Sequence, residues 1–226
     1  MNFFENYKLL SENSDKFERF YKKLVETNEK FNLTSVTSKE EVAVKHFVDS
    51  LNGAELLGVD KTVCEVGSGA GFPSLPIAVK RGDLHFTLVE SNNKKCLLLK
   101  ETASELGLEK VTVECARAED LAKDKKFRES FDHVIARAVA RTNTLSEYLL
   151  PFLKVGGTAL LWKGESYKEE LEESKNALAV LGGRVKTVKE YSLGEYGTRY
   201  IVVIEKIKPT PAKYPRGLGK ERKCPL

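Results

Sequence analysis

An α/β fold, a largely parallel sheet with helices on both faces, is what this sequence predicts, and three observations predict it. From Lys61 onward short apolar runs alternate with helix-like segments, as in successive strand–helix units. The first run, Val63-Cys-Glu-Val66, passes directly into Gly67-Ser-Gly69-Ala-Gly71-Phe72-Pro73, where glycines let the backbone turn sharply and approach a ligand with no Cβ in the way. The second run, His85-Phe-Thr-Leu-Val-Glu90, ends in a carboxylate, roughly twenty residues past the glycines, where an acid is placed to accept hydrogen bonds from ribose hydroxyls.

Taken in order, residues 1–60 read as a helical extension, 61–207 as the α/β domain and 208–226 as a basic, proline-rich tail. Phe17, Phe20, Tyr21 and Leu24 fall at i, i+3, i+4 and i+7 and line up one apolar stripe, and Phe3, Phe4 and Tyr7 suggest a shorter helix before it. Ser38-Lys-Glu-Glu41 has the capping-box pattern, in which serine and glutamate each satisfy a free backbone N–H, so a helix is expected to start there. On it His46, Asp49 and Ser50 share a face; they can reach a common partner, although a local hydrogen-bonded pair is the simpler reading.

Proline suits a first helical position, so Pro73 opens a helix expected to run to Arg81. The next runs from Asn93 to Leu106, with Leu97, Leu98 and Glu101 in register and Gly107 as its stop. A strand at Val111–Cys115 delivers Ala116-Arg117-Ala118-Glu119 to the carboxyl edge of the sheet, the edge on which such sheets bind ligands. The strand Phe131–Ala136 delivers Arg137, and a helix with Leu145, Tyr148 and Leu149 follows. Pro151 and Gly156-Gly157 precede a strand at Thr158–Trp162, which ends in Lys163-Gly164. An acidic helix from Glu169 to Leu181 leads to a closing hairpin, Val185–Tyr191 and Arg199–Ile207 about a Gly194/Gly197 turn. No internal repeat is visible.

The 226 residues, 41% hydrophobic and 31% charged, suit one globular domain with an extension. There is no apolar run of about 18 residues to span a membrane, and the polar start is not a secretory signal; the cytoplasm and a monomer are expected. Without a C-x-x-C pair and with three histidines, neither a metal site nor a disulfide framework is indicated, and Cys64, Cys96, Cys115 and Cys224 read as buried free thiols. The net charge of +4 is unevenly spread: −3 over residues 1–60, +1 over 61–205 and +6 over 206–226. Four of the seven prolines also lie in that last segment, which is therefore expected to be extended and to gather phosphates. Its removal is expected to leave cofactor binding intact.

A dinucleotide fingerprint would need glycine where Phe72 stands, which disfavours an NAD enzyme. Glu65-x-Gly67-x-Gly69-x-Gly71 is instead the form seen in methyltransferases that use S-adenosylmethionine. On this reading Gly67, Gly69 and Gly71 close around the methionine end and Glu90 holds the ribose. The chain resembles the RsmG (GidB) family of bacterial small-subunit rRNA guanine-N7 methyltransferases over nearly its whole length. The resemblance rests on Asn32-Leu33-Thr34, His46-x-x-Asp49-Ser50, the Glu65–Pro73 turn, Glu90-Ser91 with Lys94-Lys95, Arg117-Ala118-Glu119, Ala136-Arg137-Ala138, Lys163-Gly164 and Tyr214-Pro215-Arg216. The family often has glycine where Ser74 stands.

The resemblance implies a Rossmann-like methyltransferase acting on 16S rRNA, free or in a small-subunit assembly intermediate. It further implies that Gly67, Phe72, Ala118, Glu119 and Arg137 hold the cofactor. Arg137, at a strand end, is also the expected catalytic residue, since arginine reads the N7/O6 acceptor pair of guanine. Arg117, Lys163, Arg216, Lys220 and Arg222 are the expected RNA contacts. Guanine N7 carries a lone pair and no proton, so attack on a methyl needs alignment and no base. Two alternatives stand beside this reading: an RNA-binding assembly factor without turnover, and a ribose 2′-O-methyltransferase in which Lys163 and nearby acids deprotonate the hydroxyl.

Overall fold

The computed structural model describes residues 7–31 and 33–226; Phe3, Phe4 and Asn32, on which two of the expectations above rest, lie outside them. Seven strands, β1 (Thr62–Val66), β2 (His85–Glu90), β3 (Val111–Cys115), β4 (Phe131–Arg137), β5 (Leu153–Lys163), β6 (Gly183–Ser192) and β7 (Thr198–Lys206), form one sheet ordered β3-β2-β1-β4-β5-β7-β6. The first five are parallel. The expected hairpin is present, but β7 inserts between β5 and β6 and runs antiparallel to both. The chain steps outward from β1 through β2 to β3 and then returns to lay β4 on the other side of β1. Such a reversal opens a crevice at the carboxyl ends of the strands, and Gly67 and Arg137 emerge there.

One face of the sheet is covered by α1 (Ser14–Phe31), α4 (Ser74–Lys80) and α5 (Asn93–Glu105), with the short helices α2 (Lys39–Val42) and α3 (Asp49–Leu51) beside them. The predicted stripe of α1 is core: Phe17, Phe20 and Leu24 are almost fully buried with Phe47, Leu75 and Phe86, each contributing about 1.5–3 kcal/mol by leaving water. The other face carries α6 (Ala118–Leu121), α7 (Thr142–Leu149), α8 (Tyr167–Glu173) and α9 (Lys175–Leu181). The expected single acidic helix is thus two, broken at Ser174, where Ser174 N donates to Glu170 O and Leu171 O.

Local chemistry differs from expectation in four further places. Ser38 Oγ accepts from Glu41 N at 3.3 Å, but the Glu41 carboxylate takes the serine hydroxyl and not its backbone N–H. Pro73 is the residue before α4 and not its first turn. On α5 Leu97 is 59% exposed, and the buried face runs through Cys96, Leu98, Leu99 and Thr102. The cysteines are not four buried thiols: Cys96 and Cys115 are joined in a disulfide, because the return of α5 onto β3 brings residues 19 apart in sequence to a Cα separation of 5.9 Å, and Cys224 is exposed.

The tail is not extended. Tyr214 is buried, and Arg128 grips the segment by donating to Tyr214 O at 2.9 Å and Thr210 O at 2.8 Å. Lys206, fully buried, donates to Glu129 at 3.0 Å and to Leu150 O at 2.6 Å. The chain ends in a one-turn helix, α10 (Lys220–Lys223), against α7. Prolines fix a path here without preventing packing, since backbone carbonyls remain free to take the Arg128 guanidinium.

Candidate active site

A cleft of about 800 Å³ lies along the carboxyl ends of β1, β2 and β3. Gly67 lines it with φ of +73°, and a Cβ there would stand 2.8 Å from Val139 Cγ2. Gly71, at φ of +95°, is pressed against Leu75, which a Cβ would meet at 2.4 Å. Neither position admits a side chain. Glu90 is 8% exposed; one oxygen accepts from Gly69 N at 3.0 Å and the other from Asn92 N at 2.9 Å, so the strand-end acid also props the glycine turn. Val66, Val89, Ala116, Arg117, Ala118, Glu119, Asp120 and Tyr148 complete much of the lining.

Beneath the turn Glu65 is fully buried, and neither of its oxygens, nor Ser74 Oγ, has a hydrogen-bond partner. Burial pushes its carboxyl up to about 8. Glu65 opens the glycine motif, but no local spacing in the sequence signals that its carboxyl is buried.

A second cavity, about 580 Å³, opens at the ends of β4 and β5 and shares Val139 with the first. Arg137 stands in its wall, and two of the expected trio, His46 and Asp49, come to meet it. Its Nη1 donates to Asp49 Oδ2 at 2.7 Å and to Lys45 O at 2.9 Å, and Nη2 reaches His46 Nδ1 at 3.2 Å. Asp49 is held from its other side by the Tyr191 hydroxyl at 2.6 Å, and its carbonyl accepts from Trp162 Nε1 at 2.9 Å. Asp49 is buried and Arg137 half-buried, and the carboxylate accepts from both Arg137 Nη1 and the Tyr191 hydroxyl, as a pair removed from water requires.

Residues 43–48 between α2 and α3 are π-helical, a wide turn frequent at functional sites; this stretch carries Lys45 O and His46. Burial, then the Arg137 charge, lowers the His46 pKa to about 4. The ring is therefore neutral at pH 7. A guanidinium only donates, so Nδ1 accepts from Arg137 in the tautomer that carries Nε2–H toward Thr34 Oγ1, 3.1 Å away, whereas Nδ1–H would donate to Lys45 O, also at 3.1 Å. Ser50 instead turns back, donating to His46 O. After Arg137, Ala138 takes φ of +56°, a left-handed conformation costly for a residue with a Cβ, at the bend that sets Val139 between the two cavities.

Several predicted site residues fall elsewhere. Phe72 lines neither cavity: it is stacked between His46 (4.7 Å) and Phe20 (5.2 Å), with the Arg137 guanidinium 5.2 Å from its centroid, because the chain dives into the α1 core immediately after Gly71. Arg137 lines the second cavity and not the cofactor cleft. Lys163, expected on RNA, has a side chain 8% exposed and donates to Glu170 at 2.6 Å and Ala140 O at 3.0 Å. Burial alone would raise the Glu170 pKa, but Lys163 and Thr142 together hold it below the usual carboxylate range. Arg216 is committed to Glu147, which is 1% exposed, through Nε and Nη2. Arg117, Lys220 and Arg222 are exposed, and Arg222 lines the cofactor cleft.

The Tyr191, Trp162 and Glu170 contributions were not foreseen, since Asp49 and Tyr191 lie 142 residues apart and no local spacing links them. Among the described residues no group of three or more His, Cys, Asp or Glu is arranged to hold a metal, and no helix is long and apolar enough to cross a membrane.

A reversed α/β sheet with a glycine turn, a strand-end acid and an adjoining cavity defines the class: a Rossmann-like methyltransferase fold. Solved structures agree at the level of the fold. M. jannaschii TYW2 in complex with AdoMet aligns with a TM-score of 0.57 at 19% identity over 76% of this chain and 80% of that one. An rRNA methylase from Streptococcus thermophilus aligns at 0.51 and 20% identity over 71% and 95%. The family model "GidB: rRNA small subunit methyltransferase G" matches residues 13–199, and proteins named ribosomal RNA small subunit methyltransferase G from Exiguobacterium sp. and Streptococcus gordonii are 48% and 47% identical, over 98% of this chain and 94% and 98% of theirs. The chain belongs to this family. It is an S-adenosylmethionine-dependent rRNA methyltransferase. Its residues fit that cofactor: Gly67 lines the cleft with bare backbone, and Glu90 offers a carboxylate at the end of β2.

Proposed function

We propose that this protein methylates N7 of a guanine in 16S rRNA, acting in the cytoplasm on the free RNA or on an assembly intermediate. The observation that carries the reading is the junction of the two cavities at Val139, one fitted to the cofactor and the other walled by a fixed arginine. Bound in the first cleft, S-adenosylmethionine supplies an electrophilic methyl on a sulfonium. The chain's task is then placement and field, because N7 presents a bare lone pair. Arg137 is the catalytic residue of this scheme. Three of its N–H groups are engaged by Asp49, Lys45 O and His46, which leaves two of the five donors of a guanidinium for an acceptor edge such as guanine O6. Lys45 and Arg199 add positive charge around the same cavity.

A ribose hydroxyl would need a base, and the cavity offers little. His46 is neutral but weakly basic, with a pKa lowered to about 4 by burial and by Arg137, and Lys163 is tied to Glu170. Mapping rRNA from a deletion strain for a missing 7-methylguanosine, and restoring the mark in vitro with purified protein and S-adenosylmethionine, tests the proposal. A missing 2′-O-methyl group, or no missing mark at all, contradicts it.

A further inference from the structure

The cofactor cleft is not built from strand ends alone. Leu218, Gly219 and Arg222, from the C-terminal segment, also line it. That segment is pinned on both sides of the cleft residues. Arg216 is clamped on Glu147, Gly217 N donates to the buried Glu221 carboxylate, and Thr144 Oγ1 donates to Glu221 O at 3.0 Å. Held this way, Leu218 is 89% exposed at φ of +58°. The segment thus presents an apolar side chain at the mouth of the cleft, on a backbone position that its neighbours fix.

Strand order says which part of the cofactor would meet it. The methyl must face the second cavity, at the ends of β4 and β5, so the nucleoside is directed the opposite way, across Glu90 at the end of β2 toward Ala116–Asp120 beyond β3. The tail packs on that side: Gly217 lies beside Lys123, just past α6, and α10 lies against α7. Resting on the assignment of this cleft to S-adenosylmethionine, we propose that Leu218 and Arg222 form the wall that receives its adenosyl half, Leu218 covering the purine and Arg222 offering a planar cation to the ring. Acidic side chains, Glu90, Glu119 and Asp120, outnumber the two cations Arg117 and Arg222 in the lining. Arg222 also acts on the Tyr148 hydroxyl, lowering a pKa that burial raises more strongly, which places its guanidinium inside the cleft wall. A guanidinium both stacks on a π face and donates to ring nitrogens. The C-terminal segment therefore serves the cofactor, in addition to any contact of its exposed lysines with RNA.

Calorimetry on the full-length protein and its Leu218→Ser and Arg222→Ala variants, with S-adenosylmethionine and with 5′-methylthioadenosine, which lacks the amino-acid moiety, tests this. Each substitution is expected to weaken both ligands by the same factor, roughly three- to tenfold, with the melting temperature unchanged for Leu218→Ser, whose side chain is exposed, and slightly lowered for Arg222→Ala, which gives up its contact with the Tyr148 hydroxyl. Unchanged affinities overturn the proposal. A loss for S-adenosylmethionine alone overturns the adenosyl assignment, since the segment would then meet the methionine end. A wild-type protein that binds neither ligand would instead refute the assignment of the cleft itself.

Discussion

The two cavities that meet at Val139 are built by opposite routes. The cofactor cleft takes most of its lining from the ends of three strands and the residues that follow them: Val66 and Gly67 at β1, Val89, Glu90 and Ser91 at β2, and Ala116–Asp120 after β3. The second cavity draws on Lys45–Asp49, Arg137–Arg141, Trp162–Gly164, Glu170, Tyr191 and Arg199, so nearly the whole chain must fold before it exists. The first is a backbone device, depending on positive φ and missing side chains. The second is a side-chain device, depending on a buried network of donors and acceptors. It follows that substitutions in the two should separate: one set should act on cofactor affinity, the other on turnover and stability.

The largest loss expected from a single substitution lies in the network. Asp49→Ala removes the carboxylate shared by Arg137 and the Tyr191 hydroxyl and leaves the arginine charge uncompensated, which should cost about 3 kcal/mol. Thermal melting should show it, and the folded fraction should still bind S-adenosylmethionine. Equal loss of cofactor affinity would break the division between the cavities.

Beneath the glycine turn, Glu65 should couple stability to pH. Burial raises its pKa to about 8 from a value of 4.5, so between those limits the unfolded chain releases a proton that the folded protein keeps. Stability should therefore be complete below about pH 4.5 and fall as pH rises through that window, by at most about 5 kcal/mol. Glu65→Gln should remove that slope in urea titrations at pH 5, 7 and 8.5. A slope that persists in the variant would assign the proton to another group.

Gly67→Ala should have a smaller cost, confined to the cofactor cleft. The left-handed conformation and the 2.8 Å approach to Val139 correspond to roughly 1–3 kcal/mol, read as a tenfold or greater loss of cofactor affinity by calorimetry. Unaltered binding would mean that Val139 yields and that the close approach is not needed.

The same division explains what the sequence disclosed. Each strand–helix unit carries its own punctuation, such as the Gly67–Gly71 turn, the Asn92 cap of α5 and the Gly107 stop, so the sheet and the cofactor edge were legible one segment at a time. Long-range side-chain commitments were not. His46 and Asp49 were seen to share a face, but their common partner Arg137 lies 88 residues beyond Asp49. The basic tail misled for the same reason: composition counts Lys206 and Arg216 as free charges, whereas Glu129 and Glu147, both distant in sequence, take them. Phe72 follows the glycines as a cofactor residue would, and its stacking on Phe20 could be read only once α1 was in place.

Arg137→Lys is the most direct test of the central claim, that the acceptor cavity and the cofactor cleft are separate devices joined at Val139. Lysine keeps the charge but loses the planar fork that holds Asp49, Lys45 O and His46 together. Rates of N7 methylation on 16S rRNA and calorimetric affinity for S-adenosylmethionine, measured on the same preparation, should diverge. Turnover should fall by about a hundredfold or more, and cofactor affinity should stay within about twofold of wild type. A parallel fall of both, or full turnover in the variant, would contradict the account.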